Sequence, residues 1–210
     1  MYASKKNSIF NSIMKYLINI GGLIFFLAVI LSFSLNSVSD IKVYKNLKEA
    51  LQNPDEVTHL KLVRKKYREF PLEILKLKNL THLDLSKNRM NSIPNVIKSL
   101  VNLEELKIKS NNFTQFPEAL CQLSSLKKLS LAENSIENIP NGISEMRNLV
   151  ELDLYRNSVS SISSEIKNLY SLKRLDLRMI ELNDEKQERI RALLPNTKVL
   201  LTEPCNCATY

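Results

Sequence analysis

The chain has 210 residues, a formal net charge of +8, and is 44% hydrophobic and 25% charged, an ordinary balance for one folded domain with a terminal appendage. Glycine occurs only three times, with Gly21 and Gly22 in the apolar N-terminus, which excludes a glycine-rich phosphate loop from the folded part. Residues 1–39 carry +3 through Lys5, Lys6 and Lys15; the charge left over is too modest to demand nucleic acid, and no nucleic acid partner is expected.

Residues 17–35, LINIGGLIFFLAVILSFSL, come after that basic head without a single charge, close to the length that crosses a bilayer. With no polar face, the stretch does not suit a helix of a globular core. Two readings fit it: a signal peptide cut near Ser39, where Ser37 and Ser39 form a small-x-small site, or an uncleaved signal-anchor. Either one exports the remainder of the chain. The product is secreted or periplasmic if cleaved; otherwise residues 17–35 tether it to the membrane with the folded domain outside the cytoplasm. Residues 40–56 then supply a cap helix in NLKEALQNP, with Asn46 as N-cap and Glu49 at capping-box spacing.

From residue 57 to 180 one unit recurs every 23 residues, with starts at Val57, Leu80, Leu103, Leu126, Leu149 and Leu172. Each copy follows L-x-x-L-x-L-x-x-N, then an apolar residue with Pro, then I-x-x-L. Fixed-period self-similarity of this kind marks a solenoid. The L-x-L step has period two and predicts a short strand with its leucines on one side. Asn88, Asn111, Asn134 and Asn157 stand where the chain leaves the strand; a buried amide both donates and accepts, so stacked asparagines can satisfy turn backbone that water does not reach. Phe70–Pro71, Ile93–Pro94, Phe116–Pro117 and Ile139–Pro140 place an apolar anchor before a proline suited to the first position of a short helix. Lys65 and Ile180 replace Asn in the first and last copies, and Ile162–Ser163 lacks the proline.

These residues resemble the leucine-rich repeat family in its common 23-residue form, similar to Ras-suppressor-like and plant intracellular leucine-rich-repeat proteins. The resemblance implies an α/β solenoid: a curved horseshoe with a parallel sheet on the concave side and short helices on the convex side, here preceded by a hydrophobic N-terminal helix. An open solenoid needs its end rungs covered. In residues 181–210, NDEKQERIRALLP brings Ile190, Leu193 and Leu194 to one helical face, and TKVLL reads as a closing strand.

The outward strand positions form two columns on the concave face. The first is His59, His82, Glu105, Lys128, Glu151 and Arg174; the second is Lys61, Asp84, Lys107, Ser130, Asp153 and Asp176. With rungs about 4.8 Å apart, the alternating charges are expected to pair from rung to rung. Two groups stand out from that pattern. Tyr155, Arg156, Arg174, Arg178 and Met179 gather near the C-terminal end of the face, and Tyr and Arg are enriched at binding hot spots; this is the expected site for a protein or peptide ligand. His59, Lys61, Arg64, Lys66 and Arg68, with Lys87, form a secondary basic patch at the other end that suits an anionic lipid or polysaccharide of the cell envelope.

Catalysis and metal binding find no support. His59 and His82, the only histidines, project from one flat face beside Asp84 and Glu105 with no nucleophile motif and no evident supporting shell. No enzyme activity, cofactor or metal is expected. Cys121 reads as packing on the convex side, and Cys205 and Cys207 lie in a tail at a spacing that strains an internal bridge.

Overall fold

A computed structural model describes residues 41–202. The apolar run 17–35, Ser37, Ser39, Cys205 and Cys207 lie outside the described residues. The described residues from Lys42 onward fall in one compact unit, and among the described residues no helix is long and apolar enough to cross a membrane.

In chain order the elements begin with β1 (Val43–Tyr44), α1 (Leu47–Ala50), β2 (His59–Lys61), β3 (His82–Asp84) and β4 (Glu105–Lys107). They continue with β5 (Lys128–Ser130), β6 (Asn138–Ile139), β7 (Glu151–Asp153), β8 (Ser161–Ile162), β9 (Arg174–Leu177), α2 (Asp184–Leu193) and β10 (Lys198–Leu201). Eight strands make one sheet in the order β1-β2-β3-β4-β5-β7-β9-β10, and every neighbouring pair is parallel. The register follows the sequence period: His59 lies opposite His82, His82 opposite Glu105, Glu105 opposite Lys128, and so on to Arg174. The L-x-L leucines of β2 to β9 turn into a continuous interior, where Leu60, Leu83, Leu106, Leu129, Leu152 and Leu175 are at most 2% exposed. Each such leucine contributes about 1.5–3 kcal/mol of burial. This is the solenoid that the spacing predicts, with the parallel sheet that the resemblance to leucine-rich repeats implies.

The segments opposite the sheet differ from the expectation in two respects. They are five-residue 3₁₀ turns, Leu72–Lys76, Asn95–Ser99, Glu118–Gln122, Asn141–Glu145 and Ser164–Asn168. A 3₁₀ turn rises about 2.0 Å per residue against about 1.5 Å for an α-helix, so it spans the gap with fewer residues. The prolines also sit one position earlier than expected. Pro71, Pro94, Pro117 and Pro140 are N-caps in extended conformation, not first helical residues. Their carbonyls accept from Ile74, Ile97, Leu120 and Ile143, so the ring presets φ while the carbonyl opens the turn. Ser163 fills the same place without proline: its carbonyl accepts from Ile166 and its Oγ accepts from Glu165 N at 3.1 Å. Just before it, β8 pairs in parallel with β6 to make a second, two-stranded sheet.

At the N-terminal end β1 joins the sheet beside β2, an element with no repeat pattern to announce it. Asn46 caps α1 by accepting from Lys48 N at 2.9 Å. The capping box is absent, because Glu49 turns outward to Lys42 Nζ at 3.3 Å. At the other end Asn183 caps α2 through Lys186 N at 3.0 Å. Ile190 and Leu194 are buried, Leu193 packs half-buried on the same core, and β10 adds the last strand in register with β9.

Candidate interaction face

The asparagine slots show how one coil is fastened to the next. Asn88 Oδ1 accepts from Lys65 N at 2.9 Å and Tyr67 N at 3.2 Å, while its Nδ2 donates to the carbonyls of Leu62 at 2.9 Å and Leu85 at 2.8 Å. Asn111 accepts from Met90 N, Asn134 from Asn111 N and Phe113 N, and Asn157 from Ile136 N. Their amides donate to coil carbonyls in the same pattern. Asn88 and Asn157 are buried, whereas Asn111 and Asn134 are half-buried, so the ladder is drier at its two ends than in its middle. Lys65, which lacks the amide, is served by Asn88 from the following coil.

A second polar ladder escapes the sequence reading, although its signal is present as Asn or Ser shortly before each starting leucine. Asn79, Asn102, Ser125 and Asn148 donate to the carbonyls of Asp55, Lys78, Val101 and Ser124, each on the preceding coil, at 2.8, 3.0, 2.6 and 2.8 Å. The residue before the Asn slot is also constrained: Arg64, Lys87, Ser110, Glu133, Arg156 and Met179 all adopt positive φ between 53° and 59°. None is glycine. Each of the first five donates its N–H to the next coil's carbonyl, those of Ser86, Lys109, Ala132, Tyr155 and Arg178, and Met179 N donates to Thr202 Oγ1 at 2.6 Å. Two of the expected ligand-binding residues, Arg156 and Met179, therefore stand on rigid left-handed corners with exposed side chains.

The charges of the sheet face pair differently from the rung-to-rung alternation expected. Lys128 does meet Glu151, at 3.3 Å. Glu105, however, takes Lys107 of its own strand and lies 3.7 Å from His82 Nε2, and Arg174 takes Asp176, not Glu151. The Lys61–Asp84–Lys107 ladder does not form, since Asp84 Oδ1 instead accepts from Ser86 N at 2.9 Å. Residues two apart on a strand share a face, and their long side chains reach one another as readily as those of the next rung. Around the centre Ser130 Oγ donates to Asp153 Oδ2 at 2.7 Å and Lys109 meets Glu133 at 2.8 Å. The middle of the face is thus largely satisfied from within. Burial pushes the Glu105 carboxyl up, but hydrogen bonding to Lys107 and the charges of Lys107, His82 and Lys128 hold it below its ordinary value.

At the C-terminal end the structure brings Tyr155, Arg174 and Arg178 together around Asp176. Arg178 Nε and Nη2 bind Asp176 Oδ1 at 2.9 Å and Oδ2 at 2.6 Å, and Arg174 Nη2 binds Oδ2 at 3.1 Å. The Arg178 guanidinium carbon lies 5.7 Å from the Tyr155 ring centroid. One buried carboxylate thus serves two arginines that are each about half exposed, with side-chain exposures of 47% and 49%. Positive charge is left over, facing solvent beside an aromatic ring. In the column pattern Asp176 is one member among six; the R-x-D-x-R spacing on a single strand face is the signal for its role.

At the N-terminal end His59 and His82 stack with ring centroids 4.0 Å apart, each with Nδ1 held by a threonine hydroxyl, Thr58 or Thr81. Burial and then the neighbouring His82 lower the His59 pKa from its ordinary value, against the opposing pull of Glu105. Among the described residues no group of three His, Cys, Asp or Glu is placed to hold a metal ion. The patch cations Lys61, Arg64, Lys66, Arg68 and Lys87 are exposed or half-exposed, and among the described residues none of them is in an ion pair. Cys121 is buried in the third 3₁₀ turn, and burial pushes its thiol up to about 12, where it is inert as a nucleophile.

Comparison with known proteins agrees with this architecture. Residues 73–201 match the family described as "Leucine-rich repeat region", while a search of curated proteins gives no match. Among solved structures, the leucine-rich-repeat protein LIC12759 of Leptospira interrogans is similar at 29% identity and TM-score 0.59, over 69% of this chain and 43% of that one. Internalin C2 of Listeria monocytogenes is similar at 25% identity and TM-score 0.59, over 72% of this chain and 64% of that one. The PEPR1–AtPEP1 structure is similar at 30% identity and TM-score 0.57, over 70% of this chain and 21% of that one. The chain therefore spans less than two thirds of the length of each. With more than half of its residues matched by the family, and with a parallel strand, an asparagine turn and a 3₁₀ turn repeating every 23 residues, the chain belongs to the leucine-rich repeat family.

Proposed function

We propose that this is a non-catalytic recognition module, exported and either released or tethered by residues 17–35, that binds a protein or peptide through the C-terminal end of its sheet face. The single observation behind this reading is the Asp176 cluster. Its carboxylate fixes both arginines before any ligand arrives, so little side-chain freedom is lost on binding. The Tyr155 ring supplies apolar area beside them, and Arg156 and Met179 border the same end of the sheet. The family supports a protein-binding role in general terms, and the PEPR1–AtPEP1 structure offers an analogy from a similar fold. Sites of this kind draw most of their affinity from a few buried aromatic and arginine anchors.

The test is affinity capture from the native host with the wild-type chain and with Tyr155→Ala/Arg178→Ala. The double variant should lose at least about tenfold in partner recovery, equivalent to about 1.4 kcal/mol. Equal recovery would remove this end of the face from consideration.

A second reading rests on the cations of the N-terminal patch, none of which is in an ion pair among the described residues. Under it, Arg64, Lys66 and Arg68 hold an anionic lipid or envelope polysaccharide. Co-sedimentation with anionic vesicles should then fall with salt and with neutralisation of these three residues; binding indifferent to both would dismiss it.

A further inference from the structure

The last strand of the sheet leaves an edge unlike the one at the other end. Along the solenoid the core-facing strand residues donate their N–H to the next coil: Leu62 to Asp84 O, Leu85 to Lys107 O, Leu131 to Asp153 O and Leu154 to Asp176 O. On β10 the core-facing residues are Val199 and Leu201, in register with Leu175 and Leu177. Lys198 N–H is directed back to Lys173 O, and by strand alternation Val199 and Leu201 turn their N–H and C=O groups outward, where the described residues contain no further strand. Both side chains are only half-buried, whereas their equivalents Leu175 and Leu177 are fully covered.

The second sheet-face column is polar or charged at Lys61, Asp84, Lys107, Ser130, Asp153 and Asp176, but on β10 it ends in Leu200. The opposite edge of the sheet is blunted in the ways edges usually are. Strand β1 is only two residues long, lies between Lys42 and Lys45, and has the Lys42 ammonium 4.1 Å from the Tyr44 ring centroid. The β10 edge is four residues long, reads Lys-Val-Leu-Leu, and has no proline or inward-pointing charge.

We propose that β10 is a self-association edge that pairs antiparallel with β10 of a second copy of this chain about a two-fold axis. The outward groups fix the register. Val199 and Leu201 must form the hydrogen-bonded pair, each exchanging N–H···O=C bonds with the other's counterpart in the second copy. That places Leu200 opposite Leu200 on the axis, in the closely spaced pair where side chains interact most strongly. Lys198 then faces Thr202, so like charges do not meet. In this register core-facing residues lie beside core-facing residues and sheet-face residues beside sheet-face residues, which a slip of one position would destroy. The contact is isologous and closed, since pairing consumes the same β10 edge of each copy. It is also small, so association depends on concentration. The pairing would lie one strand from the Asp176 cluster, since Leu200 is in register with Asp176, and would present two such faces in one continuous sheet.

The experiment is sedimentation velocity of the full chain in a density-matched non-ionic detergent, across a concentration series, for wild type, Leu200→Lys and Leu200→Glu. Leu200 is at the edge of the sheet face, so both substitutions leave the interior unchanged, and far-UV circular dichroism of each should match wild type. Wild type should show a monomer–dimer equilibrium, and each variant alone should dimerise at least about tenfold more weakly. An equimolar mixture of the two variants should recover the dimer, because the charges on the axis are then opposite. A wild type that remains monomeric at every concentration, as when the chain's own tail covers the edge, would overturn the proposal. So would variants that dimerise like wild type, or a mixture that fails to recover the dimer.

Discussion

Arg178 grips Asp176 through two roughly parallel contacts, at 2.9 Å and 2.6 Å, and Asp176 is only 2% exposed. A bidentate pair of this kind combines strength with fixed geometry. It makes Asp176 the residue that organises the proposed binding end, although its carboxylate is too enclosed to be the contact surface itself.

Replacing Asp176 with Asn should therefore lower stability and binding together. Burial pushes the carboxyl up, but the hydrogen bonds and charge of Arg178, with Arg174, bring it below its ordinary value. A depressed carboxyl contributes stability above its unfolded pKa of about 3.9 and loses it as pH falls through the lower folded value. Denaturant melts at pH 7 should show a loss of about 1.5–3 kcal/mol. The gap between variant and wild type should close as pH falls below about 4; a gap unchanged at low pH would contradict the assignment.

The asparagine ladder makes a graded prediction. Asn134→Ala should cost about 1–3 kcal/mol by leaving the amides of Asn111 and Phe113 without an acceptor. Asn88→Ala should cost more, because Asn88 is buried and Asn134 only half-buried, so water can replace the lost bonds at Asn134. Urea melts of both variants give the comparison, and an equal or reversed order would contradict it.

The left-handed corners predict a gain. Lys87 holds φ at 57°, a conformation that costs a side-chain-bearing residue about 1–2 kcal/mol, and its side chain is exposed. Lys87→Gly should raise stability by about 0.5–1 kcal/mol, the relief being partly offset by glycine's larger entropy loss. Lys87→Val should lower it by about 1 kcal/mol, because β-branching makes that corner costlier still. Thermal melts of both variants would reveal a corner under no strain if neither moved.

The histidine stack predicts a loss of stability on acidification that begins at higher pH than the one at Asp176. His59 titrates below its ordinary value because of burial and then His82. As pH falls from about 6.5 through the lower folded value, the unfolded chain binds the proton first and stability declines. Proton NMR should show the His59 transition moving up in His82→Ala and further down in Glu105→Gln; unchanged transitions would separate the two rings electrically.

The solenoid was legible in the sequence because a dry interior dictates one side-chain type at each slot, and 23 residues return every slot to the same place. Leu83, Asn88, Ile93 and Ile97 each answer to a single burial requirement, so the pattern survives without any knowledge of contacts. The rest depended on choices that burial does not dictate. Strand β1 belongs to no repeat, and its two residues gain their conformation only from β2. The proline positions turned on a shift of one residue that the spacing alone does not resolve. Pairing on the sheet face turned on whether a flexible lysine or arginine reaches along its own strand or across to the next. Lys107 and Arg174 reach along, Lys128 reaches across, and the column pattern is the same for all three. Tyr155, Arg174 and Arg178 were readable as a group, but the buried carboxylate that joins them was not.

The most direct test of the proposed function places a photo-crosslinking amino acid at Tyr155 on the sheet face and, separately, at Val96, which is exposed in a 3₁₀ turn, then irradiates the protein in its native host. A binding site at the C-terminal end of the sheet face predicts a discrete partner adduct from position 155 that is lost on adding Arg178→Ala, with none from position 96. Adducts of equal yield from both positions, or from position 96 alone, would contradict it.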